Sequence, residues 1–344
     1  MERSSVCDPS VEKSAQMRVE DTARENDQVD ESRVNVGEEK PAQLKDCETT
    51  VRIGGMRVQL EAGILWPNFW PKLHMVGLED STTWAEWLEE ASHFKVRPDD
   101  IFINSYPKSG HHWTYEIISR LTAGSGGRNT TTNKMDAFFE WRRISVFDNL
   151  PSPRLLLTHL PFHLMPKEAF KKPCKHIYLV RNPKDTAVSF YYHTKGLRAL
   201  DYDGSFSDFY ESFIKGEVEY NSWFDHVSSW WKSTKNHPNV LWVHYEDLNK
   251  KFIPTLKKMA SFLGYQANDN LLQQIAEKSS FKNMKEHSEK HDLKAMWKTK
   301  DGTMFRKGQV GNWKEYFTVA QNEKFDKVYE DKMADCQDLR VQFS

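Results

Sequence analysis

Cysteine is scarce in this 344-residue chain, and the four present, Cys7, Cys47, Cys174 and Cys336, lie far apart with no C-x-x-C pair. That spacing excludes a zinc ribbon or a thioredoxin-type redox centre, and four free thiols suit a reducing compartment. Long uncharged apolar runs are missing too: the mean hydropathy is -0.73, and the opening MERSSVCDPSVEKS lacks the apolar stretch of a secretory leader. No membrane span or signal peptide is expected, and the location expected is cytoplasmic. Neither sign of charge dominates, since the formal net charge is -1. A polyanion partner such as nucleic acid is therefore not expected, and any anion site has to be local. Aromatic residues are absent before Trp66, whereas acidic residues are frequent there. Such a stretch cannot bury enough apolar surface to offset the ordering of its backbone. We expect a disordered acidic tail over residues 1–54 and a folded domain over residues 55–344.

What is present from Trp66 onward is an alternation of short apolar runs with amphipathic stretches. IFINSY (101–106) precedes WTYEIISRL, LLLTHL (155–160) is followed by KHIYLV (175–180) and DTAVSFYYH, and VLWVHY (240–245) precedes LKKMASFLG. This order predicts a single α/β domain with a central parallel sheet flanked by helices. Ligands of such sheets bind beyond the carboxyl ends of the strands, which places residues 107–112 and 181–184 at the site. GSGGRNTTTN (124–133) follows a helical pattern and not a strand, so it reads as a surface loop and not as a dinucleotide fingerprint. The tryptophans Trp223, Trp230 and Trp231 fit helix packing.

Three segments carry chemistry. In Y106-P-K-S-G-H-H-W113 a strand ends, a Lys-Ser-Gly turn follows and a helix begins. Unsatisfied N–H groups at a helix start, a close backbone approach at Gly110 and the charge of Lys108 together suit a phosphate-like anion. The Lys precedes the Gly, so this is not a Walker A loop. V180-R-N-P-K-D-T-A-V-S189 again joins a strand to a helix and puts Arg181 where it can grip a second phosphate. R306-K-G-Q-V-G-N-W313 adds two cations and two glycines, a composition suited to a loop folded over an anion. Each segment also has an ordinary reading: a turn with solvated Lys108, an Arg181 held by Asp185, a turn with solvated Arg306 and Lys307. A zinc site at His287 and His291 is disfavoured because H-S-E-K-H lacks a Glu directly after the first His, and no metal is expected.

Taken in order with THLP (158–161), HYEDL (244–248) and SSFKNM (279–284), these segments resemble the cytosolic sulfotransferase family over roughly Trp66 to Asp335. The resemblance implies the sulfotransferase fold, with a P-loop-like phosphosulfate loop, and 3′-phosphoadenosine 5′-phosphosulfate (PAPS) as donor to a hydroxyl of a small acceptor. It places Lys108, Ser109, Gly110, His111 and His112 around the 5′-phosphosulfate, and Arg181, Ser189, Arg306, Lys307 and Gly308 at the 3′-phosphate. Trp113, Tyr245, Ser279 and Phe281 would hold the adenine, with Trp113 and Phe281 on opposite faces. His159 matches the base, Lys108 the group that neutralises the leaving oxygen, and Ser189 the residue that holds Lys108 until the acceptor arrives. Phe138, Thr158, His159 and His193 fall on the acceptor side, where an aromatic wall suits a phenol or steroid. K314-E-Y-F-T-V-A-Q-N-E323 matches the family's homodimer pattern at Lys314, Thr318, Val319 and Glu323, while Thr318 with Gln321 also reads as a helix capping box.

The chain departs from the family where chemistry is expected. Lys-Ser-Gly-His-His-Trp stands for the usual K-S-G-T-T-W, so His111 and His112 either donate to the phosphosulfate or turn aside. Leu157 stands where a Lys is common, and Asn312 where an Asp is more frequent. These changes leave open a nucleotide-binding protein with weak or no catalysis. A nucleotide kinase is disfavoured by the missing Walker A lysine and by the additional cations.

Overall fold

A computed structural model describes residues 50–53, 55–61, 63–67, 84–124, 136–291, 296–299 and 305–344. Most of the expected tail and most of the loop 124–133 lie outside the described residues. Three strands, β1 (Thr50–Ile53), β2 (Met56–Glu61) and β3 (Ile64–Pro67), form an antiparallel sheet whose first strand starts ahead of residue 55. The alternation of the sequence had not singled out this small sheet, because its strands are short and precede the aromatic-rich texture.

The second sheet is the expected parallel one. It consists of β4 (Ile101–Ser105), β5 (Leu155–Thr158), β6 (Lys175–Val180) and β7 (Val240–His244) in the order β5-β4-β6-β7. Every pairing is parallel, with Ile101 opposite both Leu155 and Lys175 and His176 opposite Val240. All residues of β4 and β5 are buried, which is why each strand opens on three successive apolar residues, Ile101 to Ile103 and Leu155 to Leu157, and not on an alternation. The described helices are α1 (Trp84–Ser92), α2 (His111–Thr122), α3 (Ile144–Asp148), α4 (Pro183–Gly196), α5 (Phe206–Lys215), α6 (Trp223–Thr234), α7 (Tyr245–Lys250), α8 (Phe252–Leu263), α9 (Asp269–Lys278), α10 (Phe281–His291) and α11 (Val319–Lys332). Their starts follow local chemistry: Asn182 caps α4 with Pro183 in the first turn, and Ser205 and Thr318 form capping boxes with Asp208 and Gln321. Trp223 and Trp230 of α6 are fully buried, as helix packing requires. Among the described residues no helix is long and apolar enough to cross a membrane.

The entrance to the sheet is fixed by a buried ion pair. Arg154 donates through Nε and Nη2 to the two carboxylate oxygens of Asp100 at 2.7 and 2.6 Å, and both side chains are fully buried. The remaining guanidinium hydrogens reach the carbonyls of Phe147 and Lys95. Asp100→Ala strands that guanidinium without its anion, so we expect a loss of about 3–5 kcal/mol in urea unfolding. A loss under about 1 kcal/mol shows the pair to be dispensable.

Candidate active site

The loop after β4 turns tightly enough to put Lys108 at φ 66° and Gly110 at φ 107°. Gly110 is the N-cap of α2, which has no side-chain cap. A Cβ at Gly110 would sit 2.8 Å from Tyr245 Cδ2 and 3.0 Å from Leu179 Cδ2, so both the backbone angle and the close packing require glycine. The strand-end loop after β6 carries Arg181, whose Nη1 donates to the Lys108 carbonyl at 3.0 Å and whose Nη2 reaches the Gln309 carbonyl at 3.3 Å. Its guanidinium lies 4.3 Å above the Tyr245 ring. One arginine therefore ties the three basic segments together. Arg306 donates to Asn312 Oδ1 at 2.6 Å and lies over Tyr192, and Lys307 pairs with Glu315 at 2.6 Å.

These segments open onto one cavity of about 400 Å³. Lining it are Lys108, Gly110, His111, His112, Trp113, Arg181, Ser189, Tyr245, Ser279, Phe281, Arg306, Lys307 and Gly308, together with Phe138, Trp141, His159, Phe190, His193, Glu219 and Tyr220. Trp113 is oriented by its indole N–H, which donates to the Ser279 carbonyl at 2.8 Å. Phe281 presses on Gly308, where an added Cβ would come within 2.3 Å of the ring. Two expected residues do not line the cavity. Thr158 is fully buried, and its hydroxyl accepts the Leu160 N–H at 3.0 Å. Ser109 is buried in the loop, with its N–H closing a turn onto the Tyr106 carbonyl and its hydroxyl without a hydrogen-bond partner. Ser279 lines it, but its hydroxyl is spent on the Ile275 carbonyl at 2.6 Å. Leu157 is fully buried in β5 and packs in the core, away from the cavity.

His111 does not extend toward the helix N-terminus. Its Nε2–H donates to the Ile103 carbonyl at 2.7 Å and its Nδ1 lies 3.2 Å from His159 Nε2. His159 in turn donates Nδ1–H to the Ser105 carbonyl at 2.8 Å. A carbonyl can only accept, so each ring's single neutral-state proton is committed to the backbone. The two facing nitrogens then both present lone pairs, and one additional proton fits between them. Burial holds the His111 pKa down to about 3. Burial, followed by repulsion from His111, also holds His159 well below the usual histidine range.

The remaining neighbours of His159 fix its place. Its backbone N–H donates to Glu140 Oε1 at 2.5 Å, and burial raises that carboxyl to about 7. His226 donates Nε2–H to the His159 carbonyl at 3.0 Å and accepts from the Tyr178 hydroxyl at 2.9 Å. The Tyr220 ring packs edge-on at 5.4 Å. Lys108 Nζ lies 3.4 Å from His193 Nδ1; burial and then the Lys108 charge depress the His193 pKa, so His193 presents a neutral lone pair to the lysine.

Glu140, His226 and Glu219 escaped the sequence reading. A charged residue between the aromatics of F138-F-E-W141 was the only available signal for Glu140; no local pattern marked the other two. His287 and His291 have side chains outside the described residues. Among the described residues no group of His, Cys, Asp and Glu side chains is arranged to hold a metal ion.

Comparison with known proteins places this geometry in context. The sequence model of the sulfotransferase domain matches residues 98–337. The chain is 40% identical to dog sulfotransferase 1B1 over 267 residues, covering 73% of this chain and 89% of that protein. It is 37% identical to bovine sulfotransferase 1E1, covering 72% and 88% respectively. Among solved structures, mouse sulfotransferase SULT7A1 complexed with PAP superposes with a TM-score of 0.65 at 35% identity, covering 81% of this chain and 95% of that one.

Proposed function

The chain belongs to the sulfotransferase family, and from that premise we propose that it transfers a sulfuryl group from PAPS to a hydroxyl of a small acceptor, with His159 as the base. PAPS fits the donor half of the cavity on the chain's own chemistry. Arg181 Nε and Arg306 Nε, on residues that line the cavity, are buried nitrogens without a hydrogen-bond partner, and α2, whose first residues also line it, has an uncapped N-terminus. Buried donors left this way are costly, and an anion satisfies them. Arg181, Arg306 and Lys307 would hold the 3′-phosphate, Lys108 and the start of α2 the 5′-phosphosulfate, and Trp113 with Phe281 the adenine. When bound, PAPS supplies an activated sulfuryl group.

The chain supplies the remaining chemistry. His159 is neutral at physiological pH and accepts the acceptor's hydroxyl proton at Nε2. His111 then receives a hydrogen bond from that new N–H at its Nδ1, which places the proton in the single position the pair can accommodate. Lys108 brings its charge to the oxygen from which the sulfuryl group departs, and His193 holds the lysine's end. The observation that carries this reading is the meeting of His159, Lys108 and the partnerless arginine nitrogens in one cavity. Incubation with sulfur-labelled PAPS and a panel of phenols, steroids and amines tests it. Label on a hydroxyl acceptor is the expected result. Nucleotide binding without transfer to any member overturns it in favour of a binding protein.

A homodimer through Lys314, Thr318, Val319 and Glu323 and a cytoplasmic location are part of the same proposal. In support, Val319 is a large apolar side chain left 76% exposed, and Cys174 and Cys336 are free thiols. Sedimentation of Val319→Glu should convert a dimeric parent to monomer; an unchanged dimer or a monomeric parent removes the dimer.

A further inference from the structure

Glu219 carries a carboxylate oxygen that the protein itself leaves unpaired. It is only 3% exposed, its Oε1 is buried without a hydrogen-bond partner, and it lines the cavity beside Lys108, His159, Phe138 and Tyr220. Burial raises its pKa to about 8, against the opposing charge of Lys108. A buried acceptor atom left unpaired is costly, and a hydrogen-bond donor that reaches it removes that cost.

The backbone that carries it is also held in an unfavourable shape. Tyr220 and Asn221, the two residues after Glu219, both adopt left-handed angles, φ 60° and 58°, which non-glycine residues rarely take. Four hydrogen bonds enforce the turn. The Tyr220 N–H donates to the Leu65 carbonyl at 2.7 Å, and the Leu65 N–H returns a bond to Asn221 Oδ1 at 2.8 Å. Asn221 Nδ2 donates to the Gly63 carbonyl at 2.6 Å, and the Tyr106 hydroxyl to the Asn221 carbonyl at 2.7 Å. The turn thus fixes Glu219 next to a cavity wall made otherwise of rings and histidines. Besides burial, the charge that acts on Glu219 is that of Lys108, which the proposed function assigns to the transfer centre and not to the 3′-phosphate, so a hydrogen-bond donor for Oε1 can arrive with the acceptor.

Resting on the function proposed above, we propose that Glu219 selects acceptors, binding a hydroxyl or amine that the acceptor carries in addition to the hydroxyl that is sulfonated. A purely apolar phenol leaves Oε1 unsatisfied in the complex, whereas an acceptor with a second donor group satisfies it. That difference is the kind of buried-partner discrimination that exceeds what apolar fit alone provides.

Three phenols that differ only at the para position test the assignment: 4-ethylphenol, 4-(2-hydroxyethyl)phenol and tyramine. Their affinities are measured by calorimetry on the full chain saturated with adenosine 3′,5′-bisphosphate, so that the result is independent of turnover. The native protein should prefer at least one donor-bearing phenol to 4-ethylphenol by about 10- to 100-fold. Glu219→Leu should reduce that ratio to within about threefold. Glu219→Gln, the milder change, should keep part of any preference for the hydroxyl and lose any preference for the ammonium. Equal affinities for the three phenols in the native protein, or a preference that survives Glu219→Leu, overturn the assignment. Transfer of labelled sulfate to the same phenols is read in parallel. An intact affinity ratio without transfer contradicts the transferase reading and leaves the Glu219 assignment standing.

Discussion

His159→Ala should lower sulfuryl transfer by about 10²- to 10⁴-fold, the range for removal of a positioned base, while adenosine 3′,5′-bisphosphate still binds within a few-fold of the native affinity. The separation follows from where the ring sits. His159 contacts His111, Tyr220 and the Ser105 carbonyl, and none of its contacts involves Arg181, Arg306 or Lys307. The pH dependence is specific as well. Because burial lowers the His159 pKa below the ordinary histidine value of about 6.5, the imidazole is already neutral at pH 6.5 and gains no further basic form above it. The acid limb of kcat/KM should therefore lie below pH 6.5, with activity falling as the pH drops through the lowered pKa. The groups facing the ring that also titrate or carry charge are His111, His226, Lys108 and Glu140, with Tyr220 packed on its edge. A limb well above pH 7, or a His159→Ala enzyme of near-native rate, contradicts the role given to this residue.

The second large effect belongs to Arg306. Arg306→Ala should weaken adenosine 3′,5′-bisphosphate by about 30-fold or more, since truncating one partner of a buried charged pair costs about 2 kcal/mol or more. Adenosine 5′-monophosphate, which lacks the 3′-phosphate, should lose much less. Arg306 is pre-oriented by Asn312 Oδ1, by the Tyr316 hydroxyl at 3.3 Å and by the Tyr192 face, leaving Nε without a partner. Lysine cannot reproduce that fork, so Arg306→Lys should recover only part of the affinity. Equal losses for both nucleotides would mean that the arginine stabilises the loop and does not read the phosphate.

The fold was legible in the sequence where its period was unambiguous. Fully buried β4 and β5 each open on three successive apolar residues, and the parallel order follows from the helices between them. The antiparallel β1–β3 sheet was not legible, because short strands next to an aromatic-free segment carry little periodic signal. At the site, the motif residues Lys108, Gly110, Arg181, Arg306 and Gly308 line one cavity, because each sits in a short contiguous segment that the sequence displays. Residues whose importance comes from long-range packing are not displayed in that way. Glu140 meets the His159 backbone from nineteen positions away in sequence, and Glu219 reaches the cavity only because a turn is pinned to Leu65. His111 shows a further limit. The sequence left open whether its ring donates to the phosphosulfate or turns aside, because only the fold brings a carbonyl of β4 and the ring of His159 to its two nitrogens. Thr158 lies in the right motif with its hydroxyl engaged by the Leu160 N–H, which a linear pattern does not encode.

In the function proposed above, this cavity is built for a nucleotide bearing a 3′-phosphate. Calorimetric titration of the native chain with adenosine 3′,5′-bisphosphate, and separately with ATP, tests it directly. The bisphosphate should bind one per chain, with ATP bound at least about 30-fold more weakly because it leaves the 3′-phosphate cations unsatisfied. Binding of ATP in preference to the bisphosphate contradicts the account.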